Sequence, residues 1–247
     1  MKKIVFLINF CLFVIIANAQ FLPWKLPVKE GVWDYPIKPG MDEWKLQNYA
    51  GRINACQIPE EILYSLSTEE LTDICLRYPA IGHFYAFNKT NDGLVKLFRD
   101  FNGIRELYKR KDAEVHLIQR YTELFQSLYC LDDTIPNFRK GLFVIQISVL
   151  EGLLSRIERQ NNNEESLKGV LQALVIGYEE KLKHIDEFKG FGLETNFFSR
   201  ANIIVKIDLS LIEQFPYKEK SAAFFSGMVG DEETVNIINE LSYQLIK

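Results

Sequence analysis

The chain has 247 residues, with 29 lysines and arginines against 33 aspartates and glutamates, so its net charge is −4 with histidine neutral. That length holds one large domain or two small ones with ample core. The mildly acidic balance argues against nucleic acid or an anionic membrane surface as a partner, and 47% hydrophobic residues exclude a disordered chain.

Residues 1–19 read as a secretory signal peptide. Lys2 and Lys3 open it, Ile4 to Ile16 is its apolar core, and Ala17-Asn18-Ala19 is a small-x-small cleavage site before Gln20. The run is too short to span a bilayer. Asn9 and Phe10 precede Cys11 where a lipid-anchor site needs small residues, so no lipidation is read there. An exported protein is expected, in the periplasm, at the cell surface or outside the cell. No transmembrane segment is expected after cleavage, because the longest later apolar run, Leu142 to Leu154, is broken by Gln146, Ser148 and Glu151.

Residues 20–40 form an extended arm. Pro23, Pro27, Pro36 and Pro39 exclude a helix and remove donors from any strand. Phe21, Trp24, Trp33 and Tyr35 give the arm two readings. It is a strap whose aromatics dock on the body, or an exposed surface for a glycan or protein, with Trp24, Trp33 and Tyr35 as the binding residues.

Residues 41–247 read as a helical domain, with a possible subdivision near 131–137. A first helix is predicted from about Asp42 to Cys56, and a short one over Ile58–Ser65. Ser67 and Glu70 have capping-box spacing. Leu71, Ile74, Cys75 and Tyr78 then recur at helical spacing until Pro79. Ile81–Phe87 reads as a buried short helix, and Asn88 to Gly93 as a turn. Helical spacing resumes at Leu94 and is interrupted at Asn102-Gly103. The basic run Lys109-Arg110-Lys111 reads as a solvated helix end. Asp112 reads as the N-cap of a helix to about Cys130, with Val115, Leu117, Ile118, Tyr121, Leu124 and Phe125 on its stripe.

A loop follows from Leu131 to Asn137. The helix from about Phe138 to Arg159 is apolar nearly all round, which places it at the centre of the second half. Asn161–Asn163 turns into a helix over about Glu164 to Ile185, and the short link predicts an antiparallel hairpin. Phe197 to Phe215 fits a helix, although residues 203–211 also alternate like a strand. No partner strand is visible, so helix is preferred. A short helix near Lys218–Phe225 and a last helix from near Asp231 complete the chain. The fold class is therefore all-α: antiparallel helical hairpins packed as a bundle or a HEAT-like stack, with an extended Pro/Trp-rich N-terminal arm.

No motif assigns a reaction. There is no phosphate loop, nucleophile elbow, dinucleotide fingerprint or paired Cys-x-x-Cys. His83, His116 and His184 lack metal-ligand spacing, so neither metal nor cofactor is expected. Cys130 and His116 lie about 21 Å apart on one helix and form no dyad. Cys56 and Cys75 are either a disulfide, which the exported compartment permits, or small buried hydrophobes. Glu179, Glu180, Asp186 and Glu187 read as a solvated acidic face.

Several segments resemble a group of uncharacterised exported all-helical proteins of Bacteroidetes. They are Tyr35-Pro36-Ile37-Lys38-Pro39-Gly40 with Glu43-Trp44-Lys45, Gln57-Ile58-Pro59-Glu60, Leu66 to Leu71 through Cys75 to Pro79, and Phe101 to Leu107 with Lys109 to Ala113. The likeness covers about residues 33–125. The group often has Thr before the Glu-Trp-Lys helix, where this chain has Met41, which weakens the first cap. The resemblance implies export and a helical fold, and it implies no activity and no site residue. The function expected is an exported, non-catalytic helical interaction or structural module of the cell envelope, with a protein or envelope component as partner. The alternative is an envelope or glycan-acting hydrolase with a dispersed carboxylate pair.

Overall fold

A computed structural model describes residues 32–127, 135–156, 163–215 and 232–247. The signal segment, residues 20–31 of the arm with Trp24, Cys130 and the helix expected at Lys218–Phe225 lie outside these. The described residues are helical, with no strand among them. They form α1 (Asp42–Leu46), α2 (Tyr49–Ala55), α3 (Glu60–Leu63), α4 (Thr68–Leu76), a 3₁₀ helix (Ile81–Ala86), α5 (Thr90–Asp100), α6 (Asn102–Leu107), α7 (Ala113–Gln126), α8 (Asn137–Ser155), α9 (Glu164–Lys183), α10 (Ile185–Phe188), α11 (Phe191–Ile207), a second 3₁₀ helix (Leu209–Gln214) and α12 (Glu232–Leu245).

The single helix expected over Asp42–Cys56 is two. Gln47 is extended, and the Asn48 side chain accepts from Gly51 N at 2.9 Å, so it starts α2 instead of continuing α1. At α4 the capping box forms as its spacing predicts. Glu70 N donates to Ser67 Oγ at 3.2 Å, and Ser67 N donates to Glu70 Oε2 at 2.8 Å. α5 starts inside the expected turn, at Thr90, because Gly93 lets it press against the first 3₁₀ helix. A Cβ on Gly93 would stand 2.2 Å from the Phe84 carbonyl oxygen.

Two residues, one basic and one acidic, that read as solvated or capping do other work. Arg110 turns inward, donating to Leu66 O at 2.5 Å and Leu63 O at 3.0 Å, and so satisfies carbonyls at the end of α3. Asp112 makes no cap bond. Its carboxylate accepts from the Thr68 hydroxyl at 2.8 Å, which holds its pKa below the usual range.

α8 is the central rod. From Gln146 to Ser155 every side chain is buried. α11, α7, α10, α5 and the first 3₁₀ helix all pack on it. A stack would give each helix pair only its sequence neighbours, whereas α8 touches elements of both halves, so the arrangement is a bundle around α8. The main neighbours of α9 are α11 and α7, and it reaches α8 through the side chains of Lys181 and Glu151. The segment 203–211 is not a strand. α11 runs to Ile207, Asp208 breaks it, and the Asp208 side chain accepts from Ser210 N to open the second 3₁₀ helix.

Candidate functional site

Beneath the groove between α7 and α9 lies a buried polar knot. Glu151 comes from α8, Lys181 from α9, Tyr121 from α7 and Asn196 from α11, and none is more than 1% exposed. Lys181 Nζ donates to Glu151 Oε2 and to Gly192 O, both at 2.6 Å. The Tyr121 hydroxyl donates to Glu151 Oε1 at 2.5 Å, and Asn196 Nδ2 donates to the same oxygen at 2.8 Å. Burial lowers the Lys181 pKa, against the opposing pull of Glu151, and burial raises that of Tyr121. One turn along α11, the buried Arg200 guanidinium lies 4.5 Å from the Tyr178 ring centroid and donates to Asn239 Oδ1 at 2.7 Å. Burial pushes its pKa down to about 10. Closed off from solvent, the knot holds α7, α8, α9, α11 and α12 in register.

The groove outside the knot is the first candidate site. It is a cleft of about 250 Å³ lined by Ile118, Tyr121, Thr122, Phe125, Gly169, Gln172, Ala173, Ile176 and Gly177, with no charged side chain among them. Ile176 is half exposed, and Val115 of α7, expected on the buried stripe, is 64% exposed. Gly177 brings α9 close to α7, since a Cβ there would stand 2.0 Å from the Tyr121 hydroxyl oxygen.

A second cleft of about 450 Å³ lies between the first half of α8 and α10, over Tyr85. Asp186 and Glu187, expected on a solvated face, line one wall of it. Both acids stand on α10, with Lys140 and Asn137 contributed by α8. A two-carboxylate glycosidase needs its acids on either side of the scissile bond, and this cleft does not offer that.

The expected aromatic surface is not what Trp33 and Tyr35 form. Tyr35 is 3% exposed, its hydroxyl donates to Ile74 O at 2.8 Å, and its ring packs against the stacked pair of Tyr78 and Phe101. Trp33 packs edge-on against Tyr35 at 4.8 Å. This end of the arm is a docked strap, because burying two rings outweighs ordering a proline-stiffened segment. Cys56 and Cys75 are not bridged. Both are free thiols closed inside the core. Burial pushes Cys56 up to about 11 and Cys75 further, so they act as small hydrophobes and not as nucleophiles.

Nothing in the spacing of the chain announces the knot. Glu151 stands out there only as a break in an apolar run, although a carboxylate in a helix apolar on every side must be buried and must find a cation. Among the described residues no three His, Cys, Asp or Glu side chains gather to hold a metal ion, and no helix is long and apolar enough to cross a membrane. The chain matches no family model, no curated protein and no solved structure.

Proposed function

We propose that this is an exported, non-catalytic helical module that binds a partner protein of the cell envelope through the α7–α9 groove. The observation that carries the reading is the absence of charge among the described residues that line that groove, in a chain that is 25% charged. An uncharged trough with the half-exposed Ile176 on its wall suits the apolar face of an amphipathic helix, whose anchors recur at i, i+3, i+4 and i+7. Gly169, Ala173 and Gly177, four residues apart on α9, lower one wall so that a helix backbone can approach. The buried charges supply a rigid floor instead of reactive groups, and the acids of the second cleft share one wall, so binding is supported over hydrolysis.

A photo-crosslinking residue at position 172 or 176, in cells that export the protein, tests this. A discrete protein adduct is expected from both positions and none from position 233 on α12. Ala173→Trp, which fills the groove, should abolish the adduct while leaving the helical circular dichroism intact. Absence of an adduct at both groove positions, or its survival in Ala173→Trp, defeats the reading.

A further inference from the structure

The α8–α10 cleft has a chemistry of its own, independent of the α7–α9 groove. Its floor is Tyr85, fixed in place twice over. The Tyr85 hydroxyl donates to Ser148 Oγ at 2.8 Å, and the Phe191 ring stands edge-on to it at 4.0 Å. Val144 and Ile145 extend the apolar floor along α8. Above Gly141 the space is open, with nothing within 4 Å of where a Cβ would stand. Phe138, three residues before Gly141 on the same helical face, is 72% exposed at that end of the helix. The volume, about 450 Å³, is that of an ordinary small-molecule pocket.

The charged groups of the lining give the sign of the ligand. Lys140, on the α8 wall, is engaged in an interaction of its own. Among the described residues Asp186 meets only Lys189, at 3.3 Å and with both side chains largely exposed, a pair worth little. Glu187 is half-buried and has no side-chain hydrogen bond or ion pair among the described residues. A half-buried glutamate with no partner among the described residues, next to an apolar floor, is stabilised by whatever brings it a positive charge.

We propose that this cleft binds an organic cation, a primary ammonium carried on an apolar body, with Glu187 and Asp186 taking the ammonium and Tyr85, Val144 and Ile145 taking the hydrocarbon. The ammonium comes from a free amine or from a lysine side chain of a peptide, and both present the same chemistry to the cleft.

The test is a titration of the full chain, at pH 7, with 4-phenylbutylamine, its alcohol and its carboxylate, followed by calorimetry and by backbone amide shifts. The amine should bind at least about tenfold tighter than the alcohol, the discrimination that one charged hydrogen bond supplies. The carboxylate should not bind, and the shifts should gather at residues 140–145 and 185–188. Glu187→Gln should weaken the amine by about tenfold. Gly141→Phe, built into open space, should abolish binding, while Glu233→Gln on α12 should leave it unchanged. Tighter binding of acetyl-Phe-Lys-amide than of the free amine assigns the cation to a peptide lysine, and the reverse order assigns it to a free amine. Equal affinity for amine and alcohol, or no loss in Glu187→Gln, overturns the proposal. Neither of those outcomes depends on Gly141→Phe, so a folding defect in that variant does not shield the proposal.

Discussion

Lys181 Nζ and Glu151 Oε2 meet at 2.6 Å with neither side chain exposed to solvent. Withdrawing two charges from water is costly, and the pair is tolerated because the carboxylate oxygens and the ammonium themselves are hydrogen-bonded. Glu151 accepts from Lys181, Tyr121 and Asn196, and Lys181 also reaches Gly192 O. Removing one partner strands the other. Lys181→Met and Glu151→Gln should each lower unfolding free energy by about 3–5 kcal/mol. The double variant keeps an amide oxygen for Tyr121 and Asn196 and removes both charges of the pair together, so it should regain most of that loss. Urea unfolding of the four proteins gives the coupling directly. Additive losses in the double variant would mean that the pair is not coupled.

Two glycines of α9 should respond in opposite directions to the same substitution. A Cβ on Gly169 meets nothing within 4 Å, whereas one on Gly177 meets the Tyr121 hydroxyl at 2.0 Å. Gly169→Ala should stabilise by about 0.5–1 kcal/mol through helix propensity alone. Gly177→Ala should destabilise by about 1–3 kcal/mol, since Tyr121 is tied to Glu151 and cannot yield. Thermal unfolding midpoints of the two variants decide the matter.

These sites also show where reading the chain as a pattern succeeds and where it stops. The all-helical class, the Ser67–Glu70 cap and the central place of α8 follow from local spacing, because period and cap chemistry are properties of neighbouring residues. The break at Gln47–Asn48 escapes the pattern because the apolar stripe runs on through it, while a side-chain bond from Asn48 decides the backbone. Val115 lies one helical position off the buried stripe, which is enough to move a residue from core to surface. Tyr35 admits both a docked and an exposed reading, since docking depends on Ile74, Tyr78 and Phe101, about forty to seventy residues away. Neither cleft is legible, because each is made by elements that sequence alone does not bring together.

Stability should fall in alkaline solution, beginning with the thiols. Burial raises the pKa of Cys56, Cys75, Tyr35, Tyr78, Tyr85 and Tyr121. In the unfolded chain thiols ionise near pH 8.5–9 and phenols near pH 10, at roughly their ordinary values. Between the unfolded and folded values the native state holds protons that the unfolded state has released. Stability is therefore complete below about pH 8.5 and is lost as pH rises. Lys181 and Arg200, with their lowered pKa values, work the other way, but they are two groups against these six. The urea midpoint should be flat from pH 7 to about 8.5 and fall beyond it, and a Cys56→Ala, Cys75→Ala variant, although less stable throughout, should delay the onset by about 1–1.5 pH units. A midpoint unchanged up to pH 10.5 would contradict this account of the buried groups.

Two of the helix starts in the first third of the described chain, those of α1 and α4, make a matched experiment. Ser67 caps α4 reciprocally with Glu70, whereas Met41 offers α1 no side-chain bond. Ser67→Ala should cost about 1 kcal/mol of global stability, because α4 is buried along Leu71, Ile74, Cys75 and Leu76 and cannot fray alone. Met41→Thr installs the missing cap and should act locally. α1 has no buried residue, so its opening is not coupled to global unfolding. Hydrogen exchange of the Glu43 and Trp44 amides should slow several-fold in Met41→Thr, by about the 0.5–1 kcal/mol of a cap, while the thermal midpoint stays within error. A global shift in Met41→Thr, or a purely local effect in Ser67→Ala, would show that the two helices are coupled to the core in the opposite order.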